Sequence, residues 1–136
     1  MKRIPVVGVV TAMLGLLVHA SLAGQETRDF MRKKLNFAQG VLEGLTLEKF
    51  DLAITNAAFL RDMSQTNIFR LTENQEYLAR STNFLRSVDA LIKAAKDQNL
   101  ERATEAYTVV ARSCIECHKM FRREQFLKRQ TDGTFK

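Results

Sequence analysis

The sequence lacks tryptophan, and its 136 residues include a single proline, Pro5, and only two cysteines. Proline breaks helix interiors, so every position after Pro5 is free of the residue that a helix tolerates least. The chain also lacks any sustained alternation of apolar and polar residues bounded by turn residues, which is the pattern of β-strands. Its length suits one domain. We therefore predict an all-α protein.

The first residues have the features of a signal peptide. Lys2 and Arg3 precede an apolar stretch without charge, Ile4–Val18, and Ser21-Leu22-Ala23 then supplies the small residues that favour cleavage before Gly24. The apolar stretch is about 15 residues long, whereas a membrane-spanning helix needs about 20. We therefore predict a cleaved signal peptide and a periplasmic protein. An uncleaved N-terminal anchor is the alternative.

Cleavage of residues 1–23 would leave a mature domain over residues 24–136, which is large enough for one core. It would lower the formal net charge from +6 to +4 by removing Lys2 and Arg3. So modest a charge on an exported chain argues against a nucleic-acid partner. The mature domain would have no membrane span, and its one histidine would be His118.

Apolar residues recur at helical spacing in four stretches, separated by short polar connections such as Ser64–Leu71. Each stretch must bury its apolar side against its neighbours, because isolated helices of this length are marginal in water. We expect the apolar residues, Leu35 and Leu42 among them, to form the core of an antiparallel up-down-up-down four-helix bundle. The predicted helices cover approximately residues 27–45, 47–63, 72–96 and 100–129.

The predicted helix ends depend on capping residues. Thr46 and Asn99 precede the second and fourth helices and are predicted N-caps. Thr72 and Gln75 have the spacing of a capping box at the start of the third helix. Gly44 is predicted to mark the end of the first helix.

The chemistry of the chain is concentrated in the segment Cys114-Ile115-Glu116-Cys117-His118. The Cys-x-x-Cys-His pattern is the attachment signature of c-type haem. On a helix, positions i, i+3 and i+4 face the same side. The two thiols can therefore form thioethers with one haem, and the imidazole of His118 can bind its iron as the proximal ligand.

Three other roles for the cysteines are weaker. A structural zinc site uses four protein ligands, and the mature domain has only Cys114, Cys117 and His118 as soft ligands. A thioredoxin-like pair would lie near a βαβ unit, and no strand is predicted. A plain disulfide is compatible with export. Export also favours haem, because covalent haem attachment takes place outside the cytoplasm.

The position of the motif near the C-terminus, on the last of four predicted helices, resembles the cytochrome c′ family. The following residues, Lys119-Met120-Phe121-Arg122, are similar to the family pattern Cys-x-x-Cys-His-x-x-[Tyr/Phe]-Arg. The resemblance implies one covalent haem c, Arg122 on the propionate side of the haem, and dimers formed through the first two helices. The short link Gly44-Leu45-Thr46 departs from the longer, proline-containing loop of many family members.

The number of histidines and methionines limits which residue can be the sixth ligand of the iron. The mature domain has no second histidine, because His19 leaves with the predicted signal peptide, so the candidates are methionine or no ligand. Met120 is too close to His118 along the helix to reach the opposite haem face. The resemblance implies a distal residue on the first helix, either a leucine beside a five-coordinate iron or a methionine ligand. Met31 and Leu35, one turn apart, are the candidates, and Met63 is a third.

These observations favour single-electron transfer between redox proteins that the sequence does not identify, without enzymatic activity. The alternative is binding of nitric oxide or carbon monoxide at an open iron near Leu35. A weak peroxidase activity would require a distal histidine or arginine as an acid–base group. A distal histidine is absent, and Arg32 is only a remote candidate. Basic residues near the haem, including Arg122 and Arg123, would contact its propionates, dock an acidic redox partner or form a solvated helix face.

Overall fold

A computed structural model describes the backbone of residues 6–66 and 74–132 and the side chains of residues 25–66 and 74–132. The described residues form helices and turns and contain no strand, which confirms the all-α prediction. Successive helices run antiparallel in a four-helix bundle, as predicted. The helices are α1 (Val6–Thr46), α2 (Phe50–Gln65), α3 (Gln75–Lys96) and α4 (Leu100–Thr131).

The chain divides into two compact units, Met1–Leu35 and Asn36–Lys136, with the boundary inside α1. The first unit is helical from Val6 onwards, so the helix begins well before the predicted start near residue 27. The side chains of the predicted signal peptide, residues 1–23, lie outside the described residues, and its cleavage stays a prediction. Within the described residues, no helix is long and apolar enough to cross a membrane.

The link between α1 and α2 differs from the prediction. Thr46 is the last residue of α1 rather than the N-cap of α2, and its hydroxyl donates to the carbonyl oxygen of Leu42 at 2.8 Å. The chain reverses at Glu48, whose φ of 52° lies in the left-handed region. Lys49 occupies the N-cap position without a side-chain hydrogen bond. Thr46 fails as a cap because its hydroxyl is already used within α1.

Gly44 was expected to end the first helix, but α1 continues for two more residues. A Cβ atom at Gly44 would lie 2.6 Å from the backbone nitrogen of Ala53 in α2. The glycine is therefore required by the close approach of two helices, which sequence spacing alone does not reveal.

The start of α3 also differs from the prediction. Ser64, expected in the connection, is buried within α2, and its hydroxyl donates to the carbonyl oxygen of Leu60 at 2.7 Å. The predicted cap Thr72 lies outside the described residues. Asn74 is the N-cap instead, because its Oδ1 accepts from the backbone N–H of Glu76 at 2.8 Å and of Tyr77 at 3.3 Å.

The link between α3 and α4 follows the prediction. The residues Asp97-Gln98-Asn99 form a turn, with Gln98 in the left-handed region at a φ of 52°. The side chain of Asn99 accepts from the backbone N–H of Arg102 at 2.9 Å, which confirms Asn99 as the N-cap of α4.

The core lies within the unit Asn36–Lys136, where each helix packs against the next. Phe37 of α1 stacks on Phe59 of α2, with ring centroids 4.9 Å apart. The hydroxyl of Tyr107 in α4 donates to the carbonyl oxygen of Ala38 in α1 at 3.0 Å and links the first and last helices. Fully buried side chains from all four helices fill the interior, among them Val41, Leu60, Val88, Leu91 and Val110.

Two leucines of the predicted core are not buried. Leu35 is 51 % exposed and Leu42 is 50 % exposed, although both belong to the apolar side of α1. They are seven residues apart and therefore lie on one line along the helix. Val41 and Leu45, which lie on the adjacent line, are the buried residues. The prediction was wrong here because the apolar side of α1 is wider than the strip that its neighbours cover.

Candidate haem-binding site

The Cys-x-x-Cys-His segment lies within α4, well away from both helix ends. The side chains of Cys114 and Cys117 are half-buried, whereas that of His118 is exposed. Because the segment is α-helical, the three side chains share one side of α4, as the spacing predicted. Two thiols and an imidazole can thus reach a single ligand from one helix.

The alternatives for these cysteines find no support in the side chains around them. The structure contains no disulfide between Cys114 and Cys117. Among the described residues, no group of three or more histidine, cysteine, aspartate or glutamate side chains is placed to hold a metal ion. A zinc site, which needs four such ligands, therefore does not fit this part of α4.

Aromatic residues of α3 and α4 pack beside Cys117. Tyr77 is buried, and its ring meets the ring of Phe121 edge to face, with centroids 5.8 Å apart. Burial raises the pKa of Tyr77, the nearby Ser81 hydroxyl opposes this shift, and a negative charge on Cys117 would add to it. Tyr77 is therefore close to both Ser81 and the second cysteine of the motif. The sequence pattern already placed Phe121 just after the motif, but it did not place Tyr77 at the site.

Ser81 supplies a test of whether the site suits a polar ligand. Its hydroxyl oxygen is shielded from solvent, and it makes no hydrogen bond to the preceding turn of α3, although it lies close enough to Tyr77 to affect the pKa of that residue. The neighbouring hydroxyls of Thr82 and Ser87 instead donate to the carbonyl oxygen one turn earlier, at 2.9 Å in both cases. A buried hydroxyl without a partner is costly, so such a group usually has one. A haem, which carries two carboxylates on an apolar ring, fits a site with this composition.

The first cysteine faces the bundle core. Cys114 is partly buried and packs against the buried apolar cluster. Tyr107, two turns earlier on α4, has its pKa raised by burial and by the charge that a Cys114 thiolate would carry. Haem attachment converts the thiol to an uncharged thioether, so only the contribution of burial would persist.

Charged residues link α3 to the segment that carries the motif. Arg80 pairs with Glu76 at 2.8 Å within α3 and with Glu116 at 3.4 Å across to α4. Arg123 pairs with Glu76 at 3.1 Å. The hydrogen bond from Arg80 lowers the pKa of Glu76 most; partial desolvation opposes this shift, and the charges of Arg123 and Arg80 lower the pKa further. The Glu76 and Arg80 spacing of four residues is the sequence signal that could have revealed this network.

Comparison with known proteins supports the predicted fold and points to one family. Residues 64–122 match the cytochrome c′ family model, and this segment contains the whole Cys-x-x-Cys-His motif and Arg122. This part of the chain is therefore similar to the cytochrome c′ family. Proteins of that family carry one covalent haem c.

The fold of the chain is similar to that of one solved structure. The crystal structure of cytochrome c′ from Rubrivivax gelatinosus matches with a TM-score of 0.56 and 15 % identity, over 68 % of this chain and 88 % of that chain. So low an identity supports the four-helix fold alone. No curated protein sequence matches the chain.

Two residues that follow the motif point to different sides of α4. Met120 is buried, at 3 % exposure. It lies two residues from His118, which turns it to nearly the opposite side of the helix, so it is not a ligand for the other haem face. Arg122 lies one turn after His118 and is exposed. The assignment of Arg122 to the propionate side of the haem stays a prediction.

The candidates for the distal side lie on α1 and α2. Met31 is half-buried and Leu35 is half-exposed, and both belong to the unit Met1–Leu35. Met63 is half-buried near the end of α2. The haem-attachment residues belong to the unit Asn36–Lys136. Which of these candidates meets the iron stays a prediction.

Proposed function

We propose that this protein is a cytochrome that carries single electrons between periplasmic redox proteins. The haem would be attached through Cys114 and Cys117, with His118 as the proximal iron ligand. The observation that carries the proposal is the α-helical Cys-x-x-Cys-His segment, in which two half-buried thiols and an imidazole share one side of α4. Periplasmic location is inferred from the signal-peptide features of residues 1–23.

The bound haem would supply the one-electron chemistry. The protein would hold the haem by two covalent bonds and fix the iron by one imidazole. The packing of Tyr77 against Phe121 beside Cys117 would limit the access of water to that edge. A dry, low-dielectric environment of this kind sets the reduction potential. The sequence pattern shows no constellation of acid–base residues that would indicate a substrate pocket, which favours a carrier over an enzyme.

We further propose Met31 as the distal ligand. Counting leaves methionine as the only side chain in the mature domain that is suited to this role, and a methionine ligand raises the reduction potential into a range useful for electron transfer. The half-buried position of Met31 is compatible with ligation. The competing function, capture of nitric oxide or carbon monoxide, requires an iron without this ligand, beside Leu35.

Optical spectra of the purified haem-loaded protein separate the two functions. We expect a low-spin spectrum in the ferric and ferrous states, unchanged when carbon monoxide is added to the ferrous protein. A high-spin ferrous form that binds carbon monoxide readily would reject both Met31 ligation and the carrier function.

A further inference from the structure

Tyr107 makes a contact between α4 and α1 that none of the roles above uses. Its hydroxyl donates to the carbonyl oxygen of Ala38 at 3.0 Å, and both residues pack against the buried apolar cluster. Burial raises the pKa of Tyr107, so the hydroxyl keeps its proton and remains a donor at neutral pH. A hydrogen bond has a preferred length and direction. This bond therefore restrains both the position of α1 along its axis and its rotation.

A second contact holds the same turn of α1. Phe37, the residue before Ala38, stacks on Phe59 of α2 with ring centroids 4.9 Å apart. The turn of α1 that contains Phe37 and Ala38 is thus held by α2 and by α4 together. These two contacts oppose sliding and rotation of the helix at this point.

Apolar packing by itself would not select the rotation of α1. Val41 and Leu45 are buried, whereas Leu35 and Leu42, on the adjacent line of the same helix, are about half exposed. A rotation that buried the second line in place of the first would exchange apolar side chains for others of similar size. Because the hydrophobic effect is non-directional, it distinguishes the two lines only weakly. The directional bond from Tyr107 can make this choice.

The rotation of α1 matters because the two distal candidates lie on different sides of it. Met31 lies seven residues before Ala38 on one unbroken helix, so its side chain leaves the axis within about 20° of that of Ala38. Leu35 lies three residues before Ala38 and is turned away by about 60°. Met31 is half-buried, whereas Leu35 is 51 % exposed, in agreement with these angles. The side of α1 that carries Ala38 is therefore the side of Met31.

The other end of the bond lies close to the haem-attachment segment. Tyr107 lies seven residues before Cys114 on α4, so the two side chains share one line of the helix. Both also pack against the same apolar cluster. One line of α4 therefore carries the hydroxyl that holds α1 and the first cysteine of the haem motif.

We propose that Tyr107 is a positioning residue for the distal ligand. Its hydrogen bond to Ala38 holds α1 in the rotation and register that present Met31, and not Leu35, to the iron. The inference rests on the proposed carrier function with Met31 as ligand, and it adds the residue that maintains the ligation. Tyr107 acts through α1 rather than by contact with the iron.

The rate at which imidazole displaces the distal ligand of the ferric, haem-loaded protein tests this role. Imidazole binds only after the methionine has left the iron, so its rate follows the population with a released ligand. In Tyr107→Phe we expect the loss of one hydrogen bond to raise that population, and with it the stopped-flow rate, by about fivefold.

The matched control is Ile92→Val. It removes one methyl group from an α3 side chain that packs against the same apolar cluster, and it lowers stability by an amount similar to the loss of one hydrogen bond. We expect its rate of imidazole binding to stay within about twofold of that of the unmodified protein, because it leaves the link between α1 and α4 intact. Circular dichroism should confirm the helical fold of both variants.

A double variant separates positioning of the ligand from a direct effect on the haem. In Met31→Ala the iron has no methionine to release, so adding Tyr107→Phe should change the rate of imidazole binding by less than about twofold. Rescue gives a further check. Replacement of Tyr107 by 4-aminophenylalanine restores an N–H donor on the ring and should return the rate to within about twofold of that of the unmodified protein.

Two results would overturn the proposal alone. Equal rates in Tyr107→Phe and Ile92→Val, in a low-spin protein, would mean that general loss of stability explains them. A Tyr107→Phe effect of the same size in the Met31→Ala background would mean that Tyr107 acts without the methionine. Failure of the carrier function looks different, because the unmodified ferrous protein would then be high-spin and bind carbon monoxide. That result would overturn both proposals together.

Discussion

The C-terminal half of α4 and the N-terminal half of α1 contribute to the haem site in different ways. On α4, the attachment residues Cys114, Cys117 and His118 lie within five consecutive positions, and the cytochrome c′ family match over residues 64–122 includes all of them. On α1, Met31 and Leu35 are single residues outside that match. The residues for covalent attachment can therefore be recognised in one short segment of sequence. The distal ligand instead depends on tertiary contacts between residues that are far apart in the chain.

The largest expected effect concerns the haem-attachment residues of α4. Replacing Cys114→Ser and Cys117→Ser together should abolish covalent haem attachment, because no other cysteine exists to form a thioether. Haem staining on a denaturing gel and the intact mass of the purified chain measure the result. Ile115→Ala, which alters an exposed residue between the two cysteines, is the control and should retain the haem. A stained band from the double variant would contradict the motif assignment.

The next effect tests the distal side. Met31→Ala should convert a low-spin iron to a high-spin iron that binds carbon monoxide, and it should lower the reduction potential, because a methionine ligand raises it. Leu35→Ala, one turn along α1, is the matched control and should leave the iron low-spin. Visible spectra and a redox titration check both variants.

The reverse pattern would have a clear meaning. A high-spin unmodified protein whose gas affinity changes on Leu35→Ala, but not on Met31→Ala, would identify Leu35 as the residue beside an open iron. If neither variant alters the spectrum of a low-spin protein, Met63→Ala becomes the next variant to measure.

The same contrast between local and long-range effects separates the correct predictions from the wrong ones. Asn99 was predicted as an N-cap because a cap acts on N–H groups two or three residues away, and the structure confirms it. Gly44 was misread because its neighbour is Ala53, which lies across a helix contact. Leu42 was misread because helical spacing cannot tell how much of an apolar side the next helix covers.

The charge network beside the motif also combines a local contact that the sequence predicts with a long-range contact that it does not. The i,i+4 pair of Glu76 and Arg80 is visible in the sequence, but the pairing of Arg80 with Glu116 across two helices is not. The position of the Ser81 hydroxyl is also visible only in the structure, because a serine within a helix normally donates to the preceding turn and Ser81 does not. The sequence alone indicates the haem-attachment segment, whereas the side chains packed around that segment are visible only in the structure.

A smaller effect concerns the part of α1 that packs on α2. Gly44→Ala places a methyl group 2.6 Å from the backbone of Ala53, and overpacking of this kind costs about 1–3 kcal/mol. The gain in helix propensity offsets about 1 kcal/mol of that cost. We therefore expect the free energy of unfolding to fall by up to about 2 kcal/mol, measured by urea denaturation.

Gly40→Ala is the matched control for this prediction. The new methyl group would meet the side chain of Asn56, which can move, rather than a backbone atom. The gain in helix propensity should then offset most of the cost, so that stability changes little. Equal losses in the two glycine variants would show that the close approach at Gly44 is not the cause.

The smallest effect concerns the hydrogen bond between α1 and α4. Tyr107→Phe removes the O–H that donates to the carbonyl oxygen of Ala38 at 3.0 Å while preserving the ring. The carbonyl keeps its acceptor position in the backbone of α1, so the loss should be about 1 kcal/mol of unfolding free energy. Thr108→Val, which removes an exposed hydroxyl bonded only within α4, is the control and should cost less.

The pH dependence of this difference gives a second measurement. Burial raises the pKa of Tyr107 in the folded protein above its ordinary value near 10.0. The unfolded chain therefore releases its proton first as the pH rises, and linkage requires the contribution of Tyr107 to stability to decline between its unfolded and folded pKa values. The stability difference between the unmodified protein and Tyr107→Phe should be constant at pH values well below the ordinary tyrosine pKa of about 10. It should shrink as the pH rises above that value. A difference that stays constant at higher pH would mean that the Tyr107 hydroxyl is not held in the buried contact that joins the first and last helices.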